Sequence, residues 1–220
     1  MHSITRRTFA LQSIGAACGL LLGDSSTVAA EPESHLISRM TWLNEPAFWT
    51  KANGRLTVRA RAKTDFWRKT FYGYTTDNGH FFHLPVAGDF IFEARVNGQY
   101  ASLYDQAGLM VRLDNENWMK CGTEFFEGSR HASVVFTRLF SDWSTMNDLS
   151  SSEPVWWRAV RTHDAIEAFC SADGKAFVSV RQGYFPPAPQ LEVGIMCCAP
   201  EGPGFECVFD NLMLSHTKNR

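Results

Sequence analysis

Apolar and polar residues alternate along most of this chain, and no apolar helical face runs longer than two turns. In "WMKCGTEFF", Trp118, Lys120, Gly122 and Glu124 alternate with Met119, Cys121, Thr123 and Phe125. Successive side chains of a strand point to opposite faces, so the second set is predicted to be buried and the first to form another face. The same alternation recurs in "RLTVRARA", "DFIFEARVNG", "AGLMVRLD", "ASVVFTRL", "WWRAVRT", "IEAFCSADG", "AFVSVRQG", "LEVGIMCC" and "ECVFDNLML". Turn signals such as "NG", "ADG", "DNEN" and "PEGPG" separate these runs. Strands in this number without intervening helices predict an all-β sandwich or barrel. "FPPAPQ" reads as a loop, because prolines cannot donate to a ladder.

Facing constrains two hairpins. A "DNEN" turn pairs Gln106 with Glu124, Gly108 with Gly122, Met110 with Lys120 and Arg112 with Trp118. A four-residue turn at "EGSR" then sets Thr137 beside Lys120, Val135 beside Gly122 and Ser133 beside Glu124. Opposed residues lie about 5 Å apart, so these side chains form one patch. The facing glycines are expected to leave a groove where a flat ring approaches the backbone.

The first thirty residues change the picture of where the domain begins. "TRRTFAL" sets twin arginines before the apolar "ALQSIGAACGLLLG", and Val28 and Ala30 suit a cleavage site. Residues 1–30 are therefore expected to be a twin-arginine export signal, and residues 31–220 one periplasmic or secreted domain. The apolar run is short for a membrane span. Removing Arg6, Arg7 and Asp24 from 21 basic and 23 acidic residues leaves 19 and 22, a net charge of −3. Nothing there points to nucleic acid or to an anionic membrane. Five cysteines remain: Cys121, Cys170, Cys197, Cys198 and Cys207. Cys197 or Cys198 could reach Cys207 across a hairpin, or all five could be small core residues.

Several longer motifs occur in a fixed order: "TDFWRKTFYGYTTDNGHFF", "GDFIFEARV", "YDQAGLMVR", "WMKCGTEF", "SVVFTRLFSDWS", "ADGKAFVSVRQGYFP" and "VGIMCCAPEGPGFECVFDN". From about Met40 to Ser215 the chain resembles the domains of unknown function labelled "regulation of enolase", placed among concanavalin A-like folds. The resemblance implies a jelly-roll β-sandwich of two antiparallel sheets with one concave face. It implies no reaction, and export would separate the protein from cytoplasmic enolase.

Glycosidases of concanavalin A-like folds carry paired carboxylates in a pattern like E-x-D-x-x-E, which is absent here. Asp89 and Glu93 share a face with Arg95 and Asn97, as on a solvated sheet. Glu124 is the candidate acid or base, with one carboxylate where glycoside hydrolysis normally uses two. The structural reading of Lys120 and Glu124 is a surface ion pair. The functional reading is a site for a carbohydrate or small polar ligand. In it, Gln106, Lys120, Glu124 and Thr137 recognise hydroxyls, Trp118 or Trp67 stacks, and Arg68 and His80 lie at the rim. Trp67, Trp118 and Trp143 are expected to be exposed, Trp143 in a "SDWS" turn. A saccharide-active enzyme using Glu124 and a protein-interaction domain without a small ligand stay open beside it. "TDNGH" and "LDNEN" offer oxygens to a calcium ion and are equally ordinary turn chemistry. Nucleotide, acyl-transfer and zinc-protease motifs are absent.

Overall fold

A computed structural model describes residues 32–146 and 154–217. The export signal expected over residues 1–30 lies outside the described residues. A short helix, α1 (Glu33–Ser38), leads into β1 (Thr41–Leu43), β2 (Trp49–Ala52) and β3 (Arg55–Arg61). β4 (Phe66–Arg68) and β5 (Thr75–Asp77) form a small hairpin. β6 (His80–Ala87), β7 (Phe90–Gly98), β8 (Gln106–Arg112), β9 (Asn117–Phe126), β10 (Ser129–Arg138) and β11 (Phe140–Met146) follow. The chain closes with β12 (Val155–Thr162), β13 (Ala165–Ser171), β14 (Val178–Tyr184), β15 (Gln190–Cys198) and β16 (Gly204–His216).

Two seven-stranded antiparallel sheets result, ordered β1-β6-β15-β8-β9-β10-β11 and β14-β13-β12-β7-β16-β3-β2. Their facing sides enclose the main core, including Leu109, Val111, Met119 and Cys121 from the first sheet and Phe92, Val96, Trp157 and Phe209 from the second. This is the jelly-roll sandwich that the alternation and the resemblance predict. All ten expected strands are present. β6 escapes the pattern because His80, His83 and Pro85 interrupt its apolar run; β1 pairs only with residues 81–83, so Pro85 faces an open ladder position. "SDWS" is no turn: Trp143 lies on the edge strand β11, opposite Val135.

The β8–β9 register is the expected one, Gln106 to Glu124 through Arg112 to Trp118. The β9–β10 register is corrected by two residues, which keeps the faces. Phe126 pairs with Ser129, so Val135 opposes Lys120, Thr137 opposes Trp118 and His131 opposes Glu124. Glu127 and Gly128 both have positive φ, 49° and 75°, as in the two-residue turns whose twist matches that of the flanking strands.

A second apolar cluster lies on the other side of the first sheet. Phe66, Trp67, Phe81, Met110, Trp118, Val135, Met196 and Cys198 pack together beneath the β4–β5 hairpin. The face that carries Trp118 and Lys120 is therefore roofed by this hairpin. Arg112 anchors this roof through a two-pronged pair with Asp77 at 2.7 and 2.8 Å. Arg68 donates to Glu116 at 2.7 Å and to the Leu139 carbonyl at 3.3 Å. On the second sheet the expected charged face is an ion-pair ladder, with Arg158 on Glu93 at 2.6 Å and Arg95 on Asp210 at 2.7 Å.

Candidate functional site

Between the roof and the first sheet a pocket opens, lined by Asp65, Trp67, Tyr72, Tyr74, Tyr104, Gln106, Lys120, Glu124, Val135 and Trp143. It holds about 340 Å³ of empty space, its open mouth included. Most of that space belongs to the mouth: the cavity volume proper is about 30 Å³, room for one or two water molecules, so a larger ligand would sit in the mouth. β8 and β9 supply Gln106, Lys120 and Glu124 from alternate positions, so all three rise on the same face. The hairpin brings Asp65 and three aromatic rings down onto them.

Lys120 is only 4% exposed. Its ammonium donates to Asp65 Oδ1 at 3.1 Å and to the Phe66 carbonyl at 2.7 Å. Burial works against its charge, but Asp65, Cys198 and Glu124 together outweigh that effect and raise its pKa. Lys120 thus stays protonated and is no amine nucleophile. Burial pushes the Glu124 carboxyl above the usual range, against the pull of Lys120 and of hydrogen bonds from Ser133 and Trp143. Trp143 Nε1 donates to Glu124 Oε2 at 2.9 Å and to Ser133 Oγ at 3.0 Å. Tyr72 and Tyr104 share a hydroxyl–hydroxyl bond of 2.8 Å, and the Tyr104 hydroxyl is held un-ionised by burial and by that bond.

The raised Glu124 pKa fixes a sign. The folded protein holds the Glu124 proton more tightly than the unfolded chain does, so ionising it costs stability as pH rises from the ordinary glutamate range through the folded value. Glu124→Gln removes this slope while keeping an oxygen for the Trp143 donor. At pH 8 the variant should match or exceed the wild type in urea denaturation. A loss of more than about 1 kcal/mol there would contradict this account of Glu124.

Of the residues singled out in the sequence, Trp67, Gln106, Lys120, Glu124 and Trp143 line the pocket. The others stand elsewhere. Trp118 was expected to be exposed; it is 1% exposed, packed against Phe66, and its Nε1 is buried without a partner. Trp67 is likewise buried, donating from Nε1 to the Thr70 carbonyl at 2.9 Å, although one side of it borders the pocket. Thr137 is buried opposite Trp118, not beside Lys120, and is bonded to Ser141, its partner on β11, at 2.8 Å. Arg68 ties the hairpin to the sheet and is not at the rim. His80 is buried, accepting from the Arg61 amide at 3.1 Å and contacting the Asn44 carbonyl at 2.5 Å, and burial lowers its pKa.

Asp65 is the residue that sequence reading missed. It is a second carboxylate on the floor, brought from a segment 55 residues before Lys120. The acidic residues of the two calcium-like turns are engaged: Asp77 by Arg112, Asp114 by the Glu116 and Asn117 amides, and Glu116 by Arg68. Among the described residues no group of three or more His, Cys, Asp or Glu side chains is placed to hold a metal ion. The five described cysteines are free and buried; burial raises the thiol pKa of Cys121 and Cys198, and a hydrogen bond with Cys207, then burial, raises that of Cys197. No described helix is long and apolar enough to cross a membrane.

Relatives of known structure share this frame. The chain is 38% identical over 185 residues to "Regulation of enolase protein 1" of Saccharomyces cerevisiae, covering 84% of this chain and 93% of that protein. A functionally unknown protein from Saccharomyces cerevisiae superimposes with a TM-score of 0.80 at 38% identity, over 83% of this chain and 99% of the other. At the level of fold alone, a GH43 protein of Bacillus licheniformis matches with a TM-score of 0.64 and 14% identity, over 82% of this chain and 37% of that one. The Bauhinia forficata lectin, solved with GalNAc, matches with a TM-score of 0.55 and 11% identity, over 89% of this chain and 100% of that one. The model of one family, described as "Protein of unknown function (DUF1349)", matches residues 42–217, and with the yeast relative it shows that the chain belongs to that family.

Proposed function

We propose that the roofed pocket binds a neutral, hydroxyl-rich ligand, a saccharide unit being the best fit. The observation that carries this reading is a buried Asp65–Lys120–Glu124 row at the foot of aromatic walls. Burying three ionisable groups is costly, and a cleft in which the Lys120 and Glu124 pKa values are both raised favours a functional role. The floor has acceptors to spare. Gln106 Oε1 and Asp65 Oδ2 accept no bond among those of the described residues, whereas Lys120 already spends two of its three protons. A ligand with several O–H donors would satisfy them. An organic cation would meet Lys120, and an anion would meet two carboxylates. Trp67, Tyr72, Tyr74, Tyr104 and Trp143 offer ring faces and edges to the apolar side of a sugar. The twin arginines and small-residue cleavage site at residues 1–30 support action outside the cytoplasm.

The test is calorimetric titration of neutral methyl glycosides into the wild type and Glu124→Gln. Binding weakened about tenfold to a hundredfold in the variant is the expected result, the worth of one hydrogen bond to a charged acceptor. If no glycoside binds, or the variant binds equally well, the pocket reading fails.

Asp65 favours a second reading, turnover of the bound saccharide, because glycoside cleavage uses two carboxyl groups. Protonated Glu124 would give its proton to the leaving oxygen as the C–O bond breaks. Water would supply hydroxide to the anomeric carbon and its other proton to Asp65. Nitrophenol release from nitrophenyl glycosides, lost in Glu124→Gln and in Asp65→Asn, would support it; no release would leave binding alone.

A further inference from the structure

We infer that Phe71 is a second stacking platform just outside the pocket, so that the ligand is the end of a saccharide chain and not a free monosaccharide. This rests on the pocket reading above. Phe71 is 92% exposed, the most exposed of the large apolar side chains among the described residues. A lone exposed apolar residue is unremarkable in itself. Two further observations single this one out.

The first is how the backbone delivers it. Lys69 and Phe71 both have φ of 61°. Each is the centre of a three-residue turn: the Thr70 amide donates to the Arg68 carbonyl at 2.7 Å, and the Tyr72 amide to the Thr70 carbonyl at 2.7 Å. Such turns with positive central φ are rare and strained, and a bulky residue in that region is an outlier. Gly73, at φ 77°, would take a positive φ at little cost, yet the turn also puts a phenylalanine there. Strain held at a cleft mouth is a pointer to function.

The second is continuity. The Phe71 ring meets Tyr72 edge-on at 5.0 Å and 88°. Tyr72 stacks on Tyr74 at 5.6 Å and meets Trp67 edge-on at 5.6 Å, and its hydroxyl bonds Tyr104. Tyr72, Tyr74, Trp67 and Tyr104 all line the pocket. An unbroken aromatic path thus leads from the floor to Phe71. Asp65, Lys120 and Glu124 close the inner end, so a chain would meet them by its end: one unit in the mouth of the pocket, the next leaving across Tyr72 onto the Phe71 face.

The experiment compares methyl β-xyloside, xylobiose and xylotriose, with the corresponding gluco and galacto series, on the full chain and on Phe71→Ala and Phe71→Trp. In the wild type a disaccharide should bind about threefold to tenfold more tightly than its methyl monosaccharide, the worth of one added aromatic contact. Phe71→Ala should lose that gain and keep the monosaccharide affinity, and Phe71→Trp should retain the gain. If monosaccharides bind but longer chains bind no better, or if Phe71→Ala keeps the gain, the platform is overturned and the pocket reading stands. If no saccharide binds any form, the pocket reading falls and takes the platform with it. Unchanged melting of the variants confirms that the comparison is between folded proteins.

Discussion

Lys120→Met should destabilise the fold by about 3–5 kcal/mol, the range for breaking a buried ion pair from one side. Methionine fills similar space, so the loss is electrostatic: Asp65 and Glu124 are left without the cation between them. For a domain of this size the melting midpoint should fall by roughly 6–20 °C. Protonating the stranded carboxyls relieves the strain, so the deficit should be smaller at pH 5 than at pH 8. The alkaline side gives a second check. The raised Lys120 pKa contributes stability that is fully present below the unfolded-state lysine value and is lost as pH rises through the folded value. The variant should lack that alkaline loss. Adding Asp65→Asn should recover part of the stability. A single variant as stable as the wild type at pH 8 would show that the row is not an energetic unit.

Gly108→Ala should cost about 3 kcal/mol, the upper end of what overpacking usually costs, because nothing near it can yield. A Cβ at Gly108 would fall on the Cys121 carbonyl oxygen and on the Gly122 Cα, which are backbone atoms of the paired strand. Gly122 is blocked in turn by the Ala107 carbonyl and the Gly108 Cα. The glycine pair thus serves close strand approach and is no slot for a ligand ring. Spreading β8 from β9 would also separate Gln106 from Glu124, so ligand affinity should fall together with the urea midpoint. An alanine variant within about 0.5 kcal/mol of the wild type would show that the two strands part easily there.

These two outcomes bear on different levels of what is written in the chain. The alternation in "AGLMVRLD" and "WMKCGTEFF" by itself determined the strands, the face that carries Gln106, Lys120 and Glu124, and the β8–β9 register. Side-chain parity and the "DNEN" turn leave one good pairing there. Parity alone does not settle β9–β10, where pairing Lys120 with Thr137 or with Val135 keeps the same faces; the twist of a two-residue turn at Glu127–Gly128 decided it.

What stands over a sheet face is a longer-range matter. Alternation says that Trp118 and Lys120 share a side, but not whether water or protein covers it. Only the folding back of residues 65–77 buried Trp118, carried Asp65 to Lys120 across 55 positions, and made a pocket out of a surface. Local pattern reports direction, which is a property of the strand itself. Burial and charge pairing depend on which distant segment arrives, and that is settled by packing in three dimensions.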